Sequence, residues 1–191
     1  ATNHASQIAG RMVSIHNEWS ALKEVVLGDA TNMYPPHPGT VVPGTYLPAW
    51  ARALEHVLYA VRRNRPVPRF VTRRFSRELA ALAGILREND VAVSRPSPVH
   101  PLPGEPPGLS QVFARDPAMV IGNRLILARQ RAESLRKEIR GFSRLLARLG
   151  AEAVPIIDTR ADDDVFLEGG DVLVDEPYVF VGTGRRATNE A

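Results

Sequence analysis

Residues 113–128 read Phe113-Ala114-Arg115-Asp116-Pro117, then AMVIG over 118–122, Asn123, and RLILA over 124–128. Two apolar runs flank Gly122-Asn123, a pairing that predicts a tight β-hairpin. An acidic residue, Asp116, stands at its entrance. Downstream, Leu135, Ile139, Phe142, Leu146 and Leu149 recur in alternating four- and three-residue steps. That spacing predicts a helix over 131–149, stopped at Gly150. AVPII (153–157) then reads as a strand. The order begins again where Asp171 opens DVLV (171–174) and YVFVG (178–182), which flank Asp175-Glu176-Pro177. The expected fold is α/β: repeated ββαβ units in a partial α/β propeller.

Working outward, MVSIH (12–16) and KEVVLG (23–28) read as short strands around a turn at 17–21. Residues 29–48 are rich in Pro and Gly and predict a long loop. Pro48 opens a helix that gathers Trp50, Leu54, Val57, Leu58 and Val61 on one face. Ser76 is the expected N-cap of a second helix, with Leu79, Leu82, Ala83 and Leu86 inward and Asn89-Asp90 at its end. VAVSR (91–95) follows as a strand, and the proline-rich 96–107 as a loop. Thr188 looks like the N-cap of a further helix. The chain stops there, which leaves the second hairpin's apolar side uncovered. That, together with the missing initiator Met, leads us to expect the N-terminal part of a longer protein.

Composition narrows the function classes. The chain has 191 residues, 44% of them hydrophobic and 24% charged, which suits a packed globular domain. No apolar run reaches the length that spans a bilayer, so no membrane partner is expected, and cytoplasm is the default location. There is no cysteine, hence no disulfide, thiolate metal site or thiol nucleophile in these residues. The net charge is +3, and Lys23 and Lys137 are the only lysines. Arginines gather at Arg62, Arg63, Arg65, Arg69, Arg73, Arg74 and Arg77. With poor aromatic interleaving and no recognition motif, this reads as a solvated edge and not a nucleic-acid site. Asp162-Asp163-Asp164 lacks the spaced ligands of a calcium loop, so no metal and no cofactor is expected.

Two acidic motifs carry the chemistry: Phe113-Ala114-Arg115-Asp116-Pro117 and Phe166-Leu167-Glu168-Gly169-Gly170-Asp171-Val172. Glycines after Glu168 allow a tight turn and close approach of a ligand. Two carboxylates facing one pocket would suit a planar cation such as guanidinium, whose five donors lie in a fixed fork. Two unrelated turn residues are the simpler alternative, and the residues alone leave it open.

The paired motifs, in this order and spacing, resemble those of the guanidino-group modifying superfamily, with its pentein fold. His16-Asn17-Glu18-Trp19 and Leu22-Lys23-Glu24-Val25-Val26-Leu27-Gly28 are similar to the opening of its amidinotransferases, and Val93-Ser94-Arg95-Pro96 with Pro98 to their next strand and loop. The resemblance implies that Asp116 and Glu168 hold the guanidinium while a cysteine attacks its carbon and a histidine moves protons. An amidino-cysteine intermediate then passes its group to an amine, or to water. Glu168 is the implied catalytic carboxylate, and Asp116, Glu168, Asp171 and Arg186 the implied substrate-binding set. The partners expected are a small guanidino substrate such as arginine and an amine acceptor; homo-oligomerisation is left open. In the family both histidine and cysteine follow the stretch matched by Gly182–Asn189. His4, His16, His37, His56 and His100 all precede it and read as surface or structural residues.

The branch is less clear. Arg115-Asp116 looks like amidinotransferases and arginine deiminases, and dimethylargininases usually carry an acid where Arg115 stands. Arg185-Arg186-Ala187-Thr188-Asn189 has the Thr-Asn spacing of amidinotransferases, whereas Glu168-Gly169-Gly170-Asp171 is worded more like the hydrolases. The expectation is an incomplete single catalytic domain over 1–191 belonging to an amidinotransferase. A deiminase-like guanidine hydrolase is the alternative, and a non-catalytic guanidinium-binding module the alternative of another class. Gly182-Thr183-Gly184 could meet a substrate anion, helped by Arg185 or Arg186, though a plain surface turn is the simpler reading.

Overall fold

The structure, a computed structural model, describes residues 13–35, 48–61, 65–149, 156–184 and 188–190. Its strands are β1 (Glu24–Val26), β2 (Met33–Tyr34), β3 (Ala92–Ser94), β4 (Leu109–Ser110), β5 (Ala118–Ile121), β6 (Arg124–Leu127), β7 (Ile156–Asp158), β8 (Val172–Asp175) and β9 (Tyr178–Val181). Helices α1 (Ala49–Val61) and α2 (Arg69–Glu88) lie between β2 and β3, and α3 (Ser143–Leu149) precedes β7. The fold is α/β, and the described strands fall into four small sheets. β1 pairs parallel with β3, and β2 antiparallel with β4.

One ββαβ unit is complete. β5 and β6 form the expected hairpin, from Ala118 opposite Leu127 to Ile121 opposite Arg124, and β7 joins β6 in parallel. Gly122 turns it with a φ of 56°, a conformation that favours glycine. β8 and β9 form the second hairpin. The two hairpins share a core: Met119, Ile126 and Ala128 pack with Val172 and Val174, and Ile15 and Leu167 close it from outside. Val174 is wholly buried, a burial that stabilises by roughly 1.5–3 kcal/mol. This shared core fixes the entrances of both hairpins, and so both acidic motifs, against each other.

Several expectations need correction. The segment before β1 is no hairpin partner: Ile15 bridges Gly122 and Asn17 bridges Asp175. The Asn17 side chain accepts from the N–H groups of Trp19 and Ser20, at 3.2 and 2.7 Å, and turns the chain toward β1. α2 starts at Arg69 with Pro68 as N-cap, so Ser76 lies inside the helix. Leu82 is exposed, not inward. The apolar face of α1 is open: Trp50, Leu54, Val57, Leu58 and Val61 are 51–72% exposed. Trp19 is exposed as well.

The helix expected at 131–149 is wound in two ways, as a 3-10 segment over Glu133–Phe142 and then α3. At three residues per turn, Glu138 stacks with Leu135 and Gly141 instead of falling on the edge of an α-helical stripe. Ser134, Lys137, Glu138, Gly141 and Phe142 are its buried residues. Gly150 and residues 153–155 of the expected strand lie outside the described residues.

Candidate functional site

Asp116 stands just ahead of β5, and Glu168 just ahead of a short 3-10 turn, Gly169–Asp171, that leads into β8. The two loops touch. Gly170 N–H donates to the Asp116 carboxylate at 3.0 Å, and Gly169 N–H to its carbonyl at 3.3 Å. The glycines make this possible. A Cβ on Gly169 would overlap the Arg115 carbonyl, and one on Gly170 would come within 2.9 Å of the Asp116 carboxylate.

Arg115 clamps the arrangement from the other side. Its Nε donates to Gly169 O at 2.8 Å and a terminal nitrogen to Val172 O at 2.7 Å, while both terminal nitrogens hold Glu18. Glu18 also accepts from Val174 N–H. The Arg115 hydrogen bond holds the Glu18 carboxyl below its ordinary range.

Behind the loops is a carboxyl that the sequence reading missed. Glu138 is 1% exposed, and its Oε1 accepts from Ser110 N–H at 2.6 Å. Burial pushes it up to about 7; Asp116 and Glu168 add to that, and the Ser110 N–H and Lys137 oppose it. Glu168 is also pushed up to about 7, by burial first and then by Asp116 and Asp171, against the Arg131 N–H and charge. Burial, with Asp171, raises Asp116 too, and the Gly170 N–H and Arg115 pull it down. The site therefore gathers carboxyls that repel one another in a partly dry place, and an added cation would relieve them.

The other expected residues divide. Asp171 is engaged in its own loop: Thr188 N–H donates to its carboxylate at 3.0 Å. Thr188 is a tie between loops, and its hydroxyl accepts from Glu168 N–H at 3.1 Å; the helix expected after it lies outside the described residues. Asn189 completes the stitch by bonding Phe166 and Asp164. Arg186 and Arg185 lie outside the described residues. His16 pairs with Glu176 at 2.5 Å, and the His100 ring meets Asn32. Asp162 and Asp163 are held by Arg129. Arg129, Arg131 and Arg136 crowd the Phe166 ring at 5.6, 4.5 and 5.7 Å. A surface groove of about 470 Å³ lies in the proline loop between Tyr34 and Gly108.

No family model matches the chain. The mitochondrial glycine amidinotransferase of Danio rerio is 32% identical over 123 residues, 61% of this chain and 28% of that protein. That of Gallus gallus is 28% identical over 141 residues, 70% of this chain and 32% of that protein. The chain is similar to amidinotransferases. This amidinotransferase-like chain spans about a third of the length of the curated relatives it matches. Among solved structures, the inosamine-phosphate amidinotransferase StrB1 from Streptomyces griseus superposes with a TM-score of 0.69 at 20% identity, over 93% of this chain and 57% of that one. SxtG, an amidinotransferase from Microseira wollei in saxitoxin biosynthesis, gives 0.74 at 20%, over 93% and 58%. At that identity the likeness speaks for the fold, which is the α/β pentein type.

Proposed function

We propose that this chain is the guanidinium-holding part of an enzyme that moves an amidino group from an arginine-like donor to an amine. The observation that carries the reading is the contact between the Asp116 and Glu168 loops, made through Gly169 and Gly170, which brings two mutually repelling carboxyls together. A guanidinium offers each of them charge-assisted bonds worth roughly 1.5–3 kcal/mol. Glu168 would be the catalytic carboxylate, Asp116 its partner on the cation, and Arg186 a contact for the rest of the substrate. Asp171, taken up by Thr188, would shape the loop that presents Glu168. In this reading residues 1–191 are the N-terminal part of one catalytic domain, and the two hairpin units are neighbouring blades of an α/β propeller.

The chain has no cysteine, so the thiol of an amidino-cysteine intermediate would come from outside these residues. A guanidine hydrolase is the second reading, favoured by the Glu168-Gly169-Gly170-Asp171 wording. Calorimetry with arginine tests the site. Binding in the millimolar range is expected, abolished by Asp116→Asn and by Glu168→Gln; equal affinity in all three proteins would refute it. The chain alone, given arginine with glycine or hydroxylamine, is expected to form neither ornithine nor citrulline. Turnover that survives repurification would overturn the thiol mechanism.

A further inference from the structure

The basic stretch of the chain also carries open apolar surface. Residues 49–88 hold nine arginines against three glutamates, Glu55, Glu78 and Glu88, with no lysine or aspartate. That excess is larger than the +3 of the whole chain, so the remainder is net negative. On α1, Trp50, Leu54, Val57, Leu58 and Val61 fall within about 100° of arc at 3.6 residues per turn, and all five are exposed. The helix has 13 residues and is about 20 Å long. α2 turns Thr72 and Ala83 to the interior and leaves Phe70, Phe75 and Ile85 exposed. Arg69, Arg73, Arg74 and Arg77 of the same helix are exposed too. Arg74 meets Glu78 one turn on at 3.1 Å, in a pair open to water that neutralises little. A contiguous apolar and aromatic face with arginine around it marks a surface that something covers.

We propose that α1 and α2 dock on an anionic membrane surface, α1 laying its apolar side in the interface while the arginines of α2 meet lipid phosphates. No helix among the described residues is long and apolar enough to cross a bilayer. A helix that lies in the interface needs only one apolar side and cations close by. Trp50, in the first turn of α1, is the residue type that settles at headgroup depth. Arginine forks bind phosphate oxygens in pairs. A second copy of the chain is a poor occupant, because this face would bring two basic segments together. A nucleic acid would use the arginines and leave the aliphatic side of α1 in water. An anionic bilayer takes up both, and it asks for no matching groove. None of these residues belongs to the acidic site, so the inference stands without the guanidinium reading.

The test is sedimentation of the 191-residue chain with vesicles of phosphatidylcholine, with and without phosphatidylglycerol. Tryptophan emission is read in parallel from Trp19→Phe, which leaves Trp50 as the sole indole. Binding is expected only with the anionic lipid, and it should weaken steeply with salt. Trp50 emission should shift to the blue and be quenched by lipids brominated on the acyl chain. Arg73→Gln, Arg74→Gln and Arg77→Gln together should weaken binding on the order of a hundredfold, about a factor of five for each arginine. Leu54→Gln with Leu58→Gln should abolish the quenching and leave the circular dichroism unchanged, since both side chains are exposed. If that variant loses helix, the parent decides alone: no quenching of Trp50 overturns the inference. Equal binding to neutral vesicles, or binding that survives the arginine substitutions, overturns it as well. So does a Trp50 shift that grows with protein concentration in the absence of lipid, which assigns the face to a second copy. Binding to a short RNA duplex with none to vesicles would assign the arginines to nucleic acid and overturn it too.

Discussion

Arg115 holds Glu18 with both of its terminal nitrogens, at 2.9 and 2.5 Å, across ninety-seven residues of chain. The same guanidinium reaches two carbonyls at the foot of β8. A residue beside the candidate site thus joins the N-terminal segment, the first hairpin entrance and the second.

Replacing Arg115 should therefore cost more than a surface ion pair. Arg115→Leu leaves two carbonyls and a carboxylate without their donor, and about 2 kcal/mol of stability should go with it. Arg115→Lys should recover less than half, because one ammonium cannot reproduce the fork. Urea unfolding measures both, and a loss under about 0.5 kcal/mol for the leucine variant, the surface-pair range, would show that the clamp is ornamental.

Gly169 and Gly170 are expected to fail differently. A methyl on Gly169 meets backbone at Arg115 and can be accommodated only by parting the two loops, so Gly169→Ala should destabilise by about 3 kcal/mol. A methyl on Gly170 meets the Asp116 carboxylate, a side chain that can swing. Gly170→Ala should keep most of the stability and lose arginine affinity. The two losses in opposite order, read by melting and by calorimetry, would contradict the geometry.

The pH dependence of stability has two limbs. Glu138 and Glu168 titrate near 7 in the folded chain against an ordinary 4.5. Their folded pKa values are raised, so the folded state binds more protons, and stability falls as pH climbs from about 4.5 through 7. Glu18, Glu105 and Asp158 are depressed, chiefly by hydrogen bonds from Arg115, Arg140 and Arg160, so their contribution is lost as pH falls below the ordinary carboxylate range. Thermal stability should peak near pH 5. Glu168→Gln should raise the melting temperature at pH 8 and leave it almost unchanged at pH 4.5; an equal effect at both would refute the assignment.

Both hairpins were legible in the sequence because their signals are local: Gly122-Asn123 and Asp175-Glu176-Pro177 between apolar runs. Asp116 and Glu168 could be named because each opens such a hairpin. Glu138 could not, because its burial depends on three-residue winding that the apolar spacing does not announce. Nor could the Glu18–Arg115 clamp, since nothing local connects residues so far apart. The pattern on α1 gave one apolar face, but periodicity reports only which side is apolar and not whether anything covers it. The tie from the Thr188 hydroxyl to Glu168 N–H was equally out of reach, since it joins residues twenty positions apart.

Both tryptophans of this chain stand in water, Trp19 at 65% and Trp50 at 72% exposure. Its intrinsic emission is therefore already that of a solvated indole in the folded state, and unfolding has little left to change. A flat fluorescence trace during denaturation would say nothing about cooperativity, so circular dichroism must carry the unfolding measurements above. The same blindness makes the indoles a clean reporter of contact. A blue shift on adding another protein or a longer form of this one would come from a surface laid over α1 or over the turn at Trp19, against a background free of buried tryptophan.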